Sequence, residues 1–248
     1  MKRAFDLSVA LVALVIASPF LAAVAVAIWL QDFASPFYVP LRMARGGAFR
    51  MVKFRSMVIN ADKSGVNSTA GNDRRITPVG RFVRAYKIDE VVQLWNVLKG
   101  DMSLVGPRPQ VKADADLYTS EEMRLLSVRP GITDPASIVF ADEGEILKGS
   151  EDPDLLYNQI IRPWKSRLSL LYIDRRNFRV DLRLIFLTAI GMIDRQADLN
   201  GVQRILHDWG ADELLGRMAR RQEHLLPYPP PGASEIVRSL VPELMTQH

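Results

Sequence analysis

Hydrophobic and polar positions divide this chain into an apolar beginning and a mixed remainder. From Leu7 to Leu30 no residue is charged. As a helix that run extends roughly 36 Å, enough to cross a hydrocarbon core of about 30 Å with some tilt. Ser18-Pro19 sits near its middle. Pro19 lacks the N–H that would bond the Val15 carbonyl, so a kink is expected there, and the Ser18 hydroxyl can bond a carbonyl one turn earlier and limit the exposed polarity. Lys2 and Arg3 precede the run, and Arg42, Arg45, Arg50, Lys53 and Arg55 follow it. With both flanks basic, the positive-inside rule puts both ends on one side, which a single span does not allow. The residues alone leave a spanning helix and a helix that turns back both open. A cleavable signal peptide fits less well, because the run is long for one and Asp6 interrupts its start.

Beyond this segment the periodicities shorten. PFYVPLRMARGGAFRMVKFRSM carries apolar and aromatic residues on both sides of Arg45-Gly46-Gly47 and predicts a small β-hairpin. Asn60 to Thr77 is polar and turn-rich, a loop following at most a short helix. Pro78 to Lys87 predicts a short basic helix with Val79, Phe82 and Val83 on one side. Val91, Val92, Leu94, Trp95 and Leu98 predict a helix from about Asp89 to Lys99, stopped by Gly100. Pro153 to Arg176 reads as an amphipathic helix interrupted or kinked at Pro163. Asp181 to Ile193 is apolar on most sides and too short to span, so it belongs to the core or to an interface. Residues 204–225 predict a basic amphipathic helix, and YPPPGASEIV begins a partly disordered tail. No internal repeat is visible.

The expected fold is α+β and mostly helical. It comprises a membrane helix over 1–34, a catalytic or binding domain over 35–200, and a C-terminal helix with a Pro-rich tail over 201–248. A length of 248 residues suits one sizeable core of this kind.

Composition narrows the chemistry. There is no cysteine, which excludes disulfides, thiolate zinc sites and cysteine nucleophiles and fits exposure to the cytoplasm. Three scattered histidines argue against a His-based metal site. The net charge of +4 suits an anionic membrane surface, nucleic acid or a phosphorylated substrate.

Asp89 and Glu90 stand together at a predicted helix start, where acidic residues ordinarily complement the helix dipole for a fraction of a kcal/mol to about 1 kcal/mol. An oriented carboxylate there can also act as a nucleophile or magnesium ligand. The basic company favours the second role. Lys53 and Arg55 leave the hairpin, Arg74, Arg75, Arg81, Arg84 and Lys87 precede the carboxylates, and Arg108 is fixed between Pro107 and Pro109. Arginine suits bidentate phosphate contacts, and one clamped by prolines loses less entropy on binding. The set suggests a pyrophosphate substrate with a metal. The aromatics do not interleave with the basic residues as a nucleic-acid stacking platform requires, so no nucleic-acid partner is expected.

Four segments carry a family resemblance: KRAFD, FRMVKFRSM, DRRITPVGRFVR and above all IDEVVQLWNVLKGDMSLVGPRP. Over roughly residues 1–190 the chain resembles the bacterial sugar transferases, the monotopic phosphoglycosyl transferases that start glycoconjugate assembly on a polyprenyl phosphate, in their minimal form. The resemblance implies a re-entrant helix-break-helix at Ser18-Pro19, in the bacterial inner membrane with the catalytic domain on the cytoplasmic face and helices lying at the interface. It also implies a two-step reaction, in which Asp89 attacks the sugar-proximal phosphorus of a UDP-sugar, expels UMP, and passes the phosphosugar to undecaprenyl phosphate. Mg2+ would be bound by Asp89, Glu90 or both, and Glu90 could instead position or deprotonate the acceptor. Lys53, Arg55, Arg84 and Arg108 are assigned to phosphate binding, with Arg108 on the diphosphate.

The chain departs from the common pattern at PGITDPAS (Pro130 to Ser137) and at Gln110 after GPRP, which bears on sugar and nucleotide choice. Membrane lipid is a further expected partner, and the 204–225 helix is an anchor or a homo-oligomer contact. The competing reading is a non-catalytic membrane-anchored scaffold, which would be expected to lose the carboxylate pair or Arg108, and both are present.

Overall fold

A computed structural model describes residues 1–240. The apolar beginning forms one helix, α1 (Lys2–Trp29). Asp6, Ala10, Val24 and Ile28 are buried along it, at the spacing of a single helical stripe. Its first half (Phe5, Val9, Ala13, Leu14) packs on the main core, and its second half (Leu21, Ala25) packs on a smaller cluster with Phe54, Val83, Ile88 and Val92. The opposite face, with Leu11, Val12, Val15, Ile16, Phe20 and Val26, is exposed.

Polar contacts fasten the start of α1. Lys2 pairs with Asp181 at 2.5 Å, Arg3 donates to the Val97 and Met102 carbonyls at 2.8 and 3.3 Å, and Ser103 donates to Asp6 at 2.7 Å. The helix runs uninterrupted through Ser18-Pro19. Ser18 Oγ donates to the Val15 carbonyl at 2.8 Å, taking up the acceptor that Pro19 leaves free, so the expected break in the helix is not present.

The β structure is small. Strand β1 (Phe37–Tyr38) pairs antiparallel with β4 (Lys53–Phe54). The predicted hairpin is β2 (Leu41–Ala44) with β3 (Gly47–Arg50), in register from Leu41↔Arg50 to Ala44↔Gly47. Its turn needs glycine, because Gly46 and Gly47 have φ of +88° and +125°. Strand β5 (Ser103–Val105) lies parallel to β6 (Gly131–Thr133).

Helix α2 (Pro78–Ala85) is capped by Thr77, whose hydroxyl accepts the Gly80 N–H at 2.9 Å. Val83 faces the core, but Phe82 is exposed and packs on Tyr86 at 5.0 Å. Phe82 thus leaves the predicted set. The predicted helix over 89–99 is two: α3 (Ile88–Val91) and α4 (Leu94–Lys99). Between them Gln93 and Trp95 bond carbonyls three residues back, a tighter turn than the α-helix. Gly100 ends α4 with φ +104°.

Short helices α5 (Lys112–Ala115), α6 (Pro135–Val139), α7 (Glu143–Ile146) and α8 (Pro153–Leu156) follow. A wide π-helical turn over Tyr157–Ile161 leads into α9 (Arg162–Arg175), where Trp164, Leu168 and Tyr172 are buried. This segment is core rather than interfacial. Arg162 and Glu122 form a buried ion pair beside it, and Ser166 donates to Glu122 at 2.6 Å. Helix α10 (Phe178–Gly191) belongs to the core on one face, where Val180, Leu184 and Leu187 are buried, while Leu182 and Phe186 are exposed on the other.

The helix expected over 204–225 starts earlier and divides into α11 (Arg195–Asp208) and α12 (Glu213–Ala219). Gly210, with φ +68°, ends the first, and Asp212 caps the second by accepting the Leu215 N–H at 2.8 Å. Leu199, Val202, Ile205, Leu206, Leu215 and Met218 enter the main core. The Pro-rich segment expected to be partly disordered is docked as far as it is described. Tyr228 lies 4.5 Å from Trp164 and Arg167 stacks on Tyr228 at 4.8 Å. Thr119 donates to the Pro231 carbonyl at 2.5 Å. The last part of that tail, 241–248, lies outside the described residues.

Candidate active site

An open cleft enclosing about 1320 Å3, mouth included, runs between the β2–β3 hairpin, α3 and the α6–α7 region. Lys87, in a left-handed conformation at φ +52°, turns the chain from α2 into α3 and so brings Asp89 and Glu90 to the cleft wall. Arg108 approaches from the loop after β5. That loop is held to β6, with the Gly106 N–H bonding the Thr133 carbonyl at 2.9 Å and the Gly131 N–H bonding the Pro107 carbonyl at 3.0 Å. The close passage demands small residues, since a Cβ on Gly131 would lie 2.0 Å from the Gly106 nitrogen. Lys53 comes from β4, its ammonium 5.5 Å from the Tyr38 ring centre, and Arg84 comes from the end of α2.

The two carboxylates differ sharply. Asp89 is 9 % exposed, and among the described residues its carboxylate makes no hydrogen bond or ion pair. Burial and the neighbouring Glu90 push its carboxyl above the usual range, against the pull of Lys53, Arg84 and Arg108. Glu90 is bonded to Arg108, with Oε1 2.6 Å from Nη2. Burial would raise Glu90 as well, but Arg108, Lys87 and Lys53 outweigh it and hold the group below its ordinary value. Adjacent acids driven in opposite directions are a common mark of divided chemical roles. Burial lowers the Lys53 ammonium to about 8, with Asp89 opposing the shift and Arg42, Arg84 and Arg108 adding to it.

Lys53, Arg84, Asp89, Glu90 and Arg108, five of the six residues assigned from sequence to the chemistry, line this one cleft. Arg55 does not. Its guanidinium grips Asp32 at 2.5 and 2.6 Å and donates to the Ser35 carbonyl at 2.8 Å, on the wall of a neighbouring pocket. Other lining residues lie outside the six assigned to the chemistry. Arg42 belongs in sequence to the basic flank, yet its buried Nε has no partner among the described residues, and its alternation with exposed Leu41 in β2 is the signal that places it inward. Lys87, Asp114, Tyr157 and Lys165 also line the cleft. Burial raises Asp114 to about 6, with Arg42 opposing, and Lys165 is tied to Glu143 at 2.6 Å.

The departure at Asp134 has a structural reason. Its carboxylate caps α6, accepting from the Ser137 N–H at 2.7 Å and the Ser169 hydroxyl at 2.5 Å. For a divalent cation, no cluster of three or more His, Asp or Glu side chains in metal-binding arrangement, and so no all-protein cage, occurs among the described residues. Asp89 and the second oxygen of Glu90 are hard donors facing a cleft that holds cations suited to phosphates. Magnesium is usually bound by one or two carboxylates together with substrate phosphates, and this donor set fits that arrangement.

The family model for bacterial sugar transferase matches residues 1–195. A UDP-N-acetylgalactosamine-undecaprenyl-phosphate N-acetylgalactosaminephosphotransferase of Aeromonas hydrophila is 36% identical over 169 residues, 66% of this chain and 40% of that protein. A UDP-glucose:undecaprenyl-phosphate glucose-1-phosphate transferase of Caulobacter vibrioides is 39% identical over 172 residues, 66% of this chain and 64% of that one. The exopolysaccharide production protein PSS of Rhizobium leguminosarum is 36% identical over 210 residues, covering 79% and 96%. The chain thus spans less than two thirds of the Aeromonas and Caulobacter relatives.

Proposed function

The chain belongs to the bacterial sugar transferase family, and from that premise we propose that it transfers a sugar 1-phosphate from a UDP-sugar to undecaprenyl phosphate at the membrane surface. The observation that carries this reading is Asp89, an unpartnered and nearly buried carboxylate in a cleft ringed by Arg42, Lys53, Arg84 and Arg108. A nucleophile must be free, and the transferred phosphoryl group must have its negative charge matched. Asp89 Oδ forms a bond to the sugar-bearing phosphorus, and the bridging P–O bond breaks with its electron pair leaving on UMP. An oxygen of undecaprenyl phosphate then bonds to the same phosphorus, the Asp89 Oδ–P bond breaks, and the carboxylate is restored.

Both displacements need in-line positioning more than proton transfer. Arg108, fixed by its prolines and by Glu90, binds the diphosphate, and Lys53 and Arg84 hold the transferring group. Asp89 and Glu90 would hold Mg2+ together with substrate oxygens. When bound, the ion neutralises phosphate charge and eases departure of UMP.

The acceptor side rests on α1. It is the one helix among the described residues long and apolar enough to cross a membrane. Yet both its halves pack on the same body, which supports an unbroken helix seated within one leaflet rather than across the bilayer, with the cleft on the cytoplasmic face of the bacterial inner membrane where UDP-sugars are available. The test mixes detergent-solubilised protein, Mg2+ and undecaprenyl phosphate with a panel of UDP-sugars and measures UMP. Asp89→Asn is expected to abolish both turnover and a phosphosugar adduct seen by intact mass. Retained UMP release in that variant removes Asp89 from the nucleophile role, and no release by the wild type with any sugar rejects the transferase reading.

A further inference from the structure

Away from the cleft, a second groove opens at the tip of the β2–β3 hairpin, enclosing about 1270 Å3 with its mouth. Lys2 and Arg3 of α1, Arg45 at the hairpin turn, Arg129 before β6 and Arg176 after α9 surround it. The acids beside them are engaged. Asp6 accepts from Ser103, and Asp101 accepts from Asn96 at 3.0 Å and faces Lys99 at 3.3 Å. Lys2 and Arg3 are engaged as well, with Asp181 and with backbone carbonyls. Arg45, Arg129 and Arg176 are different: each is exposed, and none makes a hydrogen bond or ion pair among the described residues. Three unpaired guanidinium groups from separate parts of the chain, gathered around one space, build a positive potential that an anion would relieve.

The groove's surroundings select the kind of anion. Phe178 follows Arg176 closely and packs edge-on against Phe5 of α1 at 5.2 Å. From there Leu182 and Phe186 extend an exposed apolar line along α10, and Leu11, Val12 and Val15 do the same along α1. A small soluble polyanion would use only the basic half of this surface. We propose that the groove binds the phosphodiester headgroup of an anionic phospholipid, whose acyl chains lie against the exposed faces of α1 and α10. The site rests on the membrane placement of α1 proposed above and is independent of the transferase chemistry.

The test uses the full chain in neutral detergent, titrated separately with dihexanoyl phosphatidylglycerol, dihexanoyl phosphatidylcholine and inorganic phosphate, with the thermal unfolding midpoint as readout. Saturable stabilisation by phosphatidylglycerol alone is expected. Arg45→Gln, Arg129→Gln and Arg176→Gln should each weaken it about fivefold, and the three together on the order of a hundredfold. An equal response to phosphatidylcholine, an equal response to inorganic phosphate, or titrations unaffected by the substitutions would overturn the proposal. Arg45 lies on an exposed turn, so Arg45→Gln alone decides the matter if the triple variant does not fold. Flotation of the wild type with phosphatidylcholine vesicles separately checks the membrane placement of α1, and failure there leaves the headgroup titration readable.

Discussion

Lys53 offers a pH signature that few other arrangements would give. Burial lowers its ammonium to about 8, so the charge proposed to face the transferring phosphate is present below that pH and lost above it. With a pKa of about 8, roughly 90% of the free enzyme carries the charge at pH 7, about half at pH 8 and roughly 10% at pH 9. If only the charged form engages the diphosphate, kcat/KM for the UDP-sugar falls about tenfold per pH unit above 8, or about 1.4 kcal/mol of transition-state binding per unit. A bound diphosphate stabilises the ammonium, so the same limb in kcat moves to higher pH. Lys53→Arg keeps its charge throughout this range and should erase the alkaline limb of kcat/KM, with a lower plateau because a planar fork replaces a point charge. The assay is UMP release at subsaturating UDP-sugar from pH 6 to 9.5. A flat wild-type profile refutes the reasoning, as does an identical alkaline limb in Lys53→Arg.

Arg108→Ala strips Glu90 of a partner at 2.6 Å and, on the proposed mechanism, the diphosphate of its fixed guanidinium. A loss of about 2–5 kcal/mol is typical of such a truncation, so kcat/KM should fall by about thirtyfold or more, and an unchanged value would reject the assignment. Glu122→Gln leaves the buried Arg162 charge without its counter-ion. The expected cost is about 3–5 kcal/mol and a drop in unfolding temperature of roughly 10 °C, whereas a shift under about 2 °C would show that the pair is dispensable. A reporter fused before Met1 should respond as cytoplasmic, together with one in the catalytic body, and a periplasmic N-terminal reporter would overturn the one-leaflet placement of α1.

What could be read from the chain in advance was local. The hairpin is legible because Gly46 and Gly47 are required where two apolar runs meet, and the stop after α4 because Gly100 takes a left-handed conformation. The carboxylate pair and Arg108 are legible because they lie within one continuous segment that also carries the family resemblance. Arg55 shows the limit. In sequence it is as good a phosphate ligand as Lys53, two residues earlier, yet Asp32 lies within reach only after α1 and β1 have folded past it, and no local pattern reveals that grip. Arg42 and Lys165 are the converse, since they reach the cleft from distant elements. The division of the helix expected over 204–225 depends on Gly210 and on the Asp212 cap, signals outweighed by a continuous amphipathic pattern. Docking of Tyr228 depends on Trp164 and Arg167, more than sixty residues away in sequence.

The fastening of α1 also bears on how the protein is made. Its first residues depend on partners translated much later, Arg3 on the carbonyls of Val97 and Met102, Asp6 on Ser103, and Lys2 on Asp181. At about 5–20 residues per second, on the order of ten seconds or more passes between synthesis of Lys2 and of Asp181. During that interval the helix emerges apolar on every side, with none of the body available to cover its stripe. A lipid surface is then the first solvent able to receive it, and on the proposed membrane placement the rest of the chain would fold against a helix already seated there. On that order of events the membrane would be a template for folding before it is a source of the proposed acceptor.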